Sequence, residues 1–521
     1  MTTWSQPLVH RNDWSSLAVP EVGTWTPTMS VSVVVPTWNA GRSLPYVLAG
    51  LAAQSYPAHL LEVVVVDDGS TPPMELSTPA PENTRLVRVS NGWGRGNARN
   101  LGVEASDGDV VQWLDADMLL RRDAVEAQLR WHHVIDYAVV LGAKKFVDPD
   151  PLYAEHSPEE VARLVESGVD DELFAGQDIR GHKWVEGMWR RTDQLRRAGT
   201  RGFRSHVTPT ATLRRALFLE VGSFHDTLNM GEDVELGYRL SEAGAVLIPE
   251  HESQAWHLGM SQVMREKDLV NRYNDSHLSN LVPGMRPKRI RQGRVYDNPY
   301  VEVVVRMDAL SERVITCVDA FLDSDLFDLR VVLVGDWDTL DWSGRRAELL
   351  DPRLEERIVA RTYAHEPRVE LRTSVPEGRS PATYRLELAS TEFSPTRPAL
   401  LAMMEDVERT HQAGRFVTSG GRRIAALRAT SATSRAHRVG AESVDEVDEA
   451  IAEAYGTQSF TLDEAGWVLT SDRTVERHEG KLERDWSPAE SRAVFDKALG
   501  RGADPAPANG RVRRGFFGRR R

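Results

Sequence analysis

Short runs of β-branched residues recur along the first 120 positions, with helical patterns between them. "VSVVVP" begins at Val31, "LEVVVVDDGS" at Leu61 and "GDVVQWLDAD" at Gly108. Short β-branched runs of this kind are typical of buried strands, while "AGRSLPYVLAGLAAQSYP" and "GNARNLGVEAS" have the spacing of helices. This alternation of strand and helix predicts an α/β sheet.

Length and composition restrict the class of protein. A chain of 521 residues is too long for one hydrophobic core, so we expect two or three domains. Hydrophobic residues make up 41% and charged residues 27%, as in an ordinary soluble globular protein. The net charge of -13 argues against nucleic-acid binding. The single cysteine, Cys317, excludes an intrachain disulfide framework and a cysteine-based zinc site, so a reducing cytoplasm is the simplest location.

Two basic clusters leave the relation to membranes open. The sequence has no apolar run of about 18 residues and no signal peptide at its start. "MRPKRIRQGR" spans Met285 to Arg294, and "RVRRGFFGRRR" ends the chain. These clusters are either a solvated linker and tail or a peripheral contact with the anionic inner face of the cell membrane.

Acidic residues follow two of the predicted strands at the point where each strand ends. Asp67 and Asp68 follow the second strand, and Asp115 and Asp117 follow the fourth. The functional groups of such sheets gather at the carboxyl ends of the strands. Because a buried carboxylate is costly unless something pairs with it, these acids predict a shared crevice that binds a ligand.

Three stretches in this order carry a resemblance to a known family. They are "VSVVVPTWNAGRSLPYVLAGLAAQSYPAHLLEVVVVDDGS", "GRGNARNLGVEASDGDVVQWLDADM" and "GEDVELGYRLSEAG". Over roughly residues 30–260 the chain resembles a bacterial, inverting family 2 glycosyltransferase of the GT-A fold. The resemblance implies a Rossmann-like αβα sandwich and transfer of a sugar from a nucleotide-diphosphate sugar, with a UDP-sugar favoured.

The resemblance also implies how the donor is bound. Asp68 would hydrogen-bond the base, and Asp115 would contact the ribose or a metal-bound water. The other expected nucleotide contacts are Pro36 and Thr37 at the end of the first strand, and Arg99 and Asn100 at the start of a helix. Arg99 could instead be a surface partner of Asp67, and we expect Asn39 and Asp67 to brace their own turns.

A metal site is expected in the same crevice. A divalent cation that bridges the phosphates stabilises the charge of the leaving diphosphate. Mn²⁺ and Mg²⁺ prefer oxygen ligands and usually bind one or two carboxylates together with phosphates. The resemblance assigns Asp117 and His257 to this cation. The alternatives are a strand-end turn for the acids and a packed, hydrogen-bonded histidine.

"LNMGEDVELGYRL" supplies acids for the acceptor side. Glu232 and Asp233 begin a predicted helix, where negative charge is favoured. By resemblance Asp233 is the catalytic base, and Glu232 binds acceptor or donor hydroxyls. Capping of the helix alone is the alternative. The Trp- and Arg-rich stretch from Leu152 to Thr212 suits a lid that determines acceptor specificity, or a plain surface helix.

The second half of the sequence echoes the first. Val301–Val305 matches Val31–Val35, "LRVVLVGDW" matches "LEVVVVDDGS", "RVELRTS" resembles "TRLVRVS" and "ATYRLELAS" resembles "NARNLGVEAS". The repeat predicts a degenerate GT-A-like domain, because Arg306-Met307 replaces Pro36-Thr37 and no D-x-D follows "PALLAMME". Such a domain would serve docking, homo-oligomerisation or acceptor binding. Chance similarity between two α/β halves is the alternative.

The expected organisation is an N-terminal extension (1–29), a GT-A catalytic domain (30–290), an accessory GT-A-like domain (296–475), and a C-terminal helix with a basic tail (476–521). The expected function is transfer of a sugar to a glycan, lipid-linked or natural-product acceptor, as in polysaccharide biosynthesis of the cell envelope. A sugar-nucleotide-binding partner subunit and a nucleotidyltransferase are the alternatives. "PTWNAGRSL" is a poor phosphate loop for a nucleotidyltransferase.

Overall fold

The computed structural model describes residues 4–225, 228–286 and 293–473. Its strands are β1 Val31–Thr37, β2 Leu61–Asp67, β3 Thr84–Arg88, β4 Val110–Trp113, β5 Met118–Leu120, β6 Ala138–Val147, β7 Arg180–Gly181, β8 Ala211–Arg214, β9 Val246–Leu258, β10 Val301–Arg306, β11 Leu329–Val334, β12 Val369–Arg372, β13 Tyr384–Leu388, β14 Phe393–Pro395, β15 Gly414–Ser419, β16 Arg422–Ala429, β17 Thr457–Thr461 and β18 Trp467–Leu469.

The helices surround two large sheets built from these strands, and β14 and β18 form a separate two-stranded sheet. They are α1 Leu44–Ala52, α2 Arg95–Glu104, α3 Ala124–His132, α4 Asp150–Glu155, α5 Pro158–Ser167, α6 Lys183–Arg191, α7 Arg215–Glu220, α8 Glu232–Glu242, α9 Gln262–Leu281, α10 Ser311–Leu322, α11 Leu354–Thr362, α12 Ala399–Thr410, α13 Thr430–Arg438, α14 Val444–Ala454 and α15 Leu462–Ala465. The predicted strands and helices of the first half are all present. No described helix is both long and apolar enough to cross a membrane.

The first sheet has the strand order β3-β2-β1-β4-β8-β6-β9-β5, and β7 pairs with β6. Its centre is parallel: Val31 pairs with Leu61 on one side and with Val110 on the other. The apolar runs form this centre because helices cover both of its faces. Strands β1, β2 and β4 therefore end at the same edge of the sheet, where their acidic residues meet.

Helix α2 covers one face of this sheet at very close range. A Cβ atom added at Gly102 would lie 2.2 Å from the Cγ1 atom of Val34. Glycine is therefore required for the helix to lie on the sheet at this distance. On the same face, Val111 and Trp113 belong to the core beneath α2, α7 and α8.

The second sheet repeats the strand order of the first. Its order is β12-β11-β10-β13-β16-β15-β17, and Val301 pairs with Leu329 and Tyr384 as Val31 does with Leu61 and Val110. The parallel and antiparallel pairings also correspond strand by strand. A shared order of seven strands in the same senses argues for an internal repeat and against chance similarity.

The repeat corrects two details of the sequence comparison. "ATYRLELAS" contains β13, which is the counterpart of β4 and not of α2. "PALLAMME" lies in α12, so the position of the D-x-D must be read after β13. Counted from the paired strands, Ala389-Ser390-Thr391 takes the place of Asp115-Ala116-Asp117. The second half therefore lacks the acidic pair, as expected, but at a different segment.

The two halves share a buried junction within the compact unit Met1–Arg473. Arg435 of α13 donates to the carbonyl groups of Gly244 and Ala245 in the first half. It also donates to the carbonyl of Val9, at 2.8 Å, in the N-terminal segment. One fully buried guanidinium group thus joins three parts of the chain.

The basic cluster from Met285 to Arg294 is only partly described. Arg286 is buried, forms an ion pair with Asp328 and stacks on Tyr296 with its guanidinium carbon 3.9 Å from the ring centre. Arg286 is therefore a structural residue, which corrects the expectation that it is solvated or contacts a membrane. Residues 287–292 and the predicted C-terminal helix and basic tail (476–521) lie outside the described residues. The domain boundaries stay a prediction.

Candidate active site

Arg99 lies at the centre of the acidic cluster and is fully buried. Its Nη2 atom lies 2.9 Å from the Asp115 Oδ1 atom, and its Nη1 atom lies 3.0 Å from the Glu232 Oε1 atom. The side chain thus ties the end of β4 to the first residue of α8. Arg99 is therefore not a surface partner of Asp67, and its expected approach to the nucleotide stays a prediction.

Glu232 is buried beside like and unlike charges. Burial and the neighbouring Asp233 raise the pKa of Glu232 to about 7, against the opposing effect of Arg95 and Arg99. Arg95 is the more exposed of the two arginines, with its Nε atom 3.7 Å from the Glu232 Oε1 atom. One carboxylate oxygen of Glu232 is buried without a hydrogen-bond partner in the described structure. Glu232 is therefore poised to gain or lose a proton near neutral pH.

Asp117 and His257 face each other because β5 pairs with the end of β9. Met118 is opposite His257 in this antiparallel ladder, and the His257 Nε2 atom lies 3.9 Å from the Asp117 Oδ2 atom. Burial and Asp115 raise the pKa of Asp117 to about 7. Burial and Lys144 lower the pKa of His257 to about 3, so its imidazole is neutral. A neutral imidazole is the form that binds a metal ion.

These two side chains fit a divalent cation. The Oδ1 atom of Asp117 and the Nδ1 atom of His257 are both buried, and neither has a hydrogen-bond partner in the described structure. The described residues contain no group of three or more His, Cys, Asp or Glu side chains placed to hold a metal ion. A cation here would therefore need ligands from a bound substrate as well, which is how Mg²⁺ commonly binds.

The other acids lie where β1 and β2 end. Asp67 is buried and accepts hydrogen bonds from the backbone of Ser70 and Met74, as expected for a residue that braces its turn. Asp68 accepts a hydrogen bond of 2.8 Å from the backbone N–H of Gly94, and burial raises its pKa. Asp68 thus links the end of β2 to the turn before α2.

Three other predicted contact residues also lie near this edge. Pro36 and Thr37 end β1, and the Thr37 hydroxyl donates to the Val66 carbonyl at 2.9 Å. Asn100 exchanges two hydrogen bonds of 2.9 Å with the backbone of Phe224, one through each end of its amide. Asn100 thus holds the segment at Phe224, and its expected contact with the nucleotide stays a prediction.

The amino-acid sequence of residues 32–227 matches the model of the family described as glycosyl transferase family 2. The chain carries a family 2 glycosyltransferase domain. It is 26% identical over 387 residues to a chondroitin synthase of Pasteurella multocida (strain Pm70), covering 71% of this chain and 38% of that protein. It is also 26% identical over 353 residues to a chondroitin synthase of Escherichia coli, covering 65% of this chain and 49% of that protein. The chain therefore spans less than half the length of these relatives.

Among solved structures, the chain is similar to residues 1–349 of TarS from S. aureus in complex with UDP-GlcNAc. The similarity covers 45% of this chain and 59% of that one, with 19% identity and a TM-score of 0.31. The expected fold class, a GT-A α/β domain followed by a second α/β domain, is confirmed by the family match and the two sheets.

The glycosyltransferase domain contains two site residues that sequence reasoning missed. Lys144 of β6 is buried, and burial lowers its pKa against the opposing effect of Asp115, Asp117 and Asp233. The Nδ1 atom of the buried His206 lies 2.7 Å from the backbone oxygen of Asp233. The lysine had a signal in the sequence, since Lys144 and Lys145 are adjacent in a strand whose other residues are apolar or glycine, and one of two adjacent strand residues points inward. His206 had none, because it lies in an irregular segment.

Aromatic side chains lie exposed around this edge of the glycosyltransferase domain. Trp38, which follows β1, and Trp93, which precedes Gly94, are each 69% exposed. In the stretch expected to act as a lid, Trp184 of α6 is 48% exposed, whereas Trp189 of the same helix is buried. Helix α6 is thus amphipathic, with one tryptophan in the core and one available to a ligand.

Proposed function

We propose that this chain is an inverting glycosyltransferase that moves a sugar from a nucleotide-diphosphate sugar to a glycan, lipid-linked or natural-product acceptor. The observation that carries the proposal is the cluster of Asp115, Asp117, Glu232 and Asp233 around the cations Arg99 and Lys144. A UDP-sugar is the favoured donor. The acids of the cluster argue against a non-catalytic partner subunit, and no observation favours a nucleotidyltransferase.

Asp117 and His257 would hold the divalent cation, Mn²⁺ or Mg²⁺. Their unpaired buried atoms and the neutral state of the imidazole support this assignment. When bound, the cation would neutralise charge on the leaving diphosphate. It would also favour the ionised form of Asp117, whose pKa is raised to about 7 without it.

Asp68 would bind the base of the donor, and Asp115 would bind the ribose or a metal-bound water. Pro36 and Thr37 would pack against the nucleoside at the end of β1. Arg99 acts indirectly in this scheme: it fixes Asp115 and Glu232 in one arrangement by pairing with both. Glu232 would then bind a sugar hydroxyl with the carboxylate oxygen that has no protein partner in the described structure.

Asp233 would accept the proton of the acceptor hydroxyl as its oxygen attacks the anomeric carbon. Its place in the first turn of α8 supports this, because the helix N-terminus favours the carboxylate form. His206 holds the backbone of this residue through its carbonyl oxygen. One base without a covalent intermediate implies a single displacement, so the bond formed has the opposite anomeric configuration.

The decisive test is the substitution Asp233→Asn. The amide keeps the shape of the side chain and cannot accept the proton, so turnover should fall by about 10²- to 10⁴-fold. Donor affinity, measured by calorimetry with the nucleotide sugar and Mn²⁺, should stay nearly constant. Asp107→Asn is the matched control, since this exposed acid lies at the opposite end of β4 and should leave turnover unchanged.

A screen of UDP-, GDP- and TDP-sugars for thermal stabilisation comes first, because it selects the donor. A ligand present at 100 times its dissociation constant stabilises the fold by about 2.7 kcal/mol. An NMR time course of the product should then show inverted configuration. Retention of configuration, or near-normal turnover of the Asp233→Asn variant, would overturn the proposed mechanism.

A further inference from the structure

The second half has no counterpart of α2 between β12 and β13. In the first half, α2 covers one face of the sheet. In the first half, the segment between β3 and β4 contains α2. In the second half, the shorter segment 373–383 between β12 and β13 has no helix. The face of the second sheet that corresponds to the one beneath α2 is therefore not covered by a helix from this segment.

The corresponding face of the second sheet is polar where that of the first sheet is apolar. By register, Arg385 and Glu387 of β13 take the positions of Val111 and Trp113 of β4. Arg385 is also directly opposite Arg428 of β16. Like charges in opposite positions destabilise a sheet unless something compensates them. The face is thus built for contact with polar groups and not for a hydrophobic helix.

A cavity of about 490 Å³ lies over this face. It is lined by residues of β13, β16, α13 and the start of α14, and by Glu220 and Ala243 of the first half. Cavities of about 300–1,000 Å³ are the size of small-molecule sites. Thr433 and Ser434 of α13 add hydroxyl groups to its lining.

The lining contains four arginines and three glutamates, Glu220, Glu387 and Glu442. Arg428 pairs with Asp448 at 2.7 Å, and Arg438 pairs with Glu220 at 2.6 Å. Arg385 pairs with Glu302 through its Nε atom, which leaves its buried Nη2 atom without a hydrogen-bond partner in the described structure.

Arg379 is the cation of the lining that has no acidic partner. It donates to the backbone oxygen of Arg239 at 3.3 Å and forms no ion pair within the described ranges. Burial and the nearby Arg239 lower the pKa of Arg379 against the opposing effect of Glu220 and Glu242, so an anion in direct contact with it would be favourable. Arg379 and the free Nη2 atom of Arg385 offer guanidinium donors to an oxyanion, and guanidinium groups match carboxylates and phosphates in geometry.

We propose that this cavity binds a sugar-sized molecule that carries a phosphate or a carboxylate group. Its anionic group would meet Arg379 and Arg385, and its hydroxyl groups would meet the polar side chains of α13. The cavity lies beside Ala243, at the C-terminal end of α8, whereas Asp233 lies in the first turn of that helix. Eleven residues of helix separate the two ends by about 16 Å, so this is not the donor site.

Calorimetry on the full chain tests the proposal. Glucose 1-phosphate, glucuronate and uncharged glucose are titrated in EDTA without nucleotide, so that the result does not depend on sugar transfer. We expect saturable binding of at least one of the two anions and none of glucose. Binding of glucose 1-phosphate alone would assign the phosphate as the recognised group, and binding of glucuronate alone the carboxylate.

Three variants locate the binding. Arg379→Gln should weaken it at least tenfold, and Thr433→Phe should abolish it by filling the cavity. Arg372→Gln is the matched control, because this exposed arginine at the end of β12 is not part of the lining and should bind like the wild type. Equal affinity for glucose and the anions, or undiminished binding by both cavity variants, would overturn the proposal.

Discussion

Replacing Arg99 by methionine tests whether this residue holds the active site together. The methionine side chain fills a similar volume but leaves the Asp115 and Glu232 carboxylates without the guanidinium group that lies 2.9 and 3.0 Å away. Removing one partner of a buried ion pair costs about 3–5 kcal/mol, because an uncompensated charge stays in the interior. We expect a loss of this size in the free energy of unfolding at pH 8.

The loss in the free energy of unfolding should be smaller in acid because of Glu232. The pKa of Glu232 is already raised to about 7, and losing Arg99 raises it further. At pH 5.5 its carboxyl group is therefore protonated in the folded variant, and no buried charge remains on it. The part of the cost that comes from Glu232 then falls to about 1–3 kcal/mol, which is typical of an unsatisfied buried polar group. Asp115 keeps Arg95 and Lys144 as neighbouring cations at both pH values, so its part changes less.

Urea unfolding at both pH values, followed by tryptophan fluorescence, measures the difference. Trp113 reports on this region because it is buried against Phe218 and Phe224 beside α2. Arg95→Met is the matched control: its guanidinium group is nearly half exposed and its Nε atom lies 3.7 Å from the Glu232 Oε1 atom, so this substitution should cost less than Arg99→Met. A loss for Arg99→Met that is the same at pH 5.5 and pH 8 would refute the reasoning.

Three further outcomes are expected. Asp117→Ala should fold but lose Mn²⁺-dependent affinity for the donor in calorimetry, unlike Asp123→Ala; unchanged affinity would remove Asp117 from the proposed metal site. Gly102→Ala should lower the free energy of unfolding by about 1–3 kcal/mol through overpacking, whereas Gly41→Ala, whose Cβ meets nothing within 4 Å, should not. Glu232 is protonated in the folded chain and ionised in the unfolded chain between its ordinary pKa and about 7, so its contribution to stability falls as pH rises through this range. The free energy of unfolding of Glu232→Gln, relative to that of the wild type, should therefore rise by about 2–3 kcal/mol from pH 5 to pH 8 in urea unfolding.

The sequence predicted the first strands of each half because their signal is local. Four of the five residues in Val31–Val35 and in Val301–Val305 are valine, which is enough to identify a buried strand. The segment "YRLEL" was harder to assign as a strand, because the sequence comparison aligned it with the helix in "NARNLGVEAS". It is a strand whose polar residues, Arg385 and Glu387, face a cavity that no local pattern reveals.

The candidate site was predicted as a set of acids but not as a network. The acids at the strand ends were identified because parallel strands end at one edge. The partners of Arg99 are 16 and 133 residues away in the sequence, so its burial between them depends on the packing of α2 against α8. The same holds for Asn100, whose partner Phe224 is 124 residues distant.

Arg435 has a consequence for how this protein can change over evolution or in the laboratory. Its guanidinium group binds main-chain oxygens of the N-terminal segment and of the turn after α8, and a Cβ at Gly244 would lie 2.6 Å from the Arg435 backbone nitrogen. Main-chain acceptors are insensitive to side-chain substitution. The side chains of the N-terminal segment and of the turn after α8 can therefore change while the hydrogen bonds from Arg435 are kept. The second half therefore cannot be transferred to another protein by itself. A chimera that contains it must also contain the N-terminal segment that Arg435 binds and the glycine of that turn.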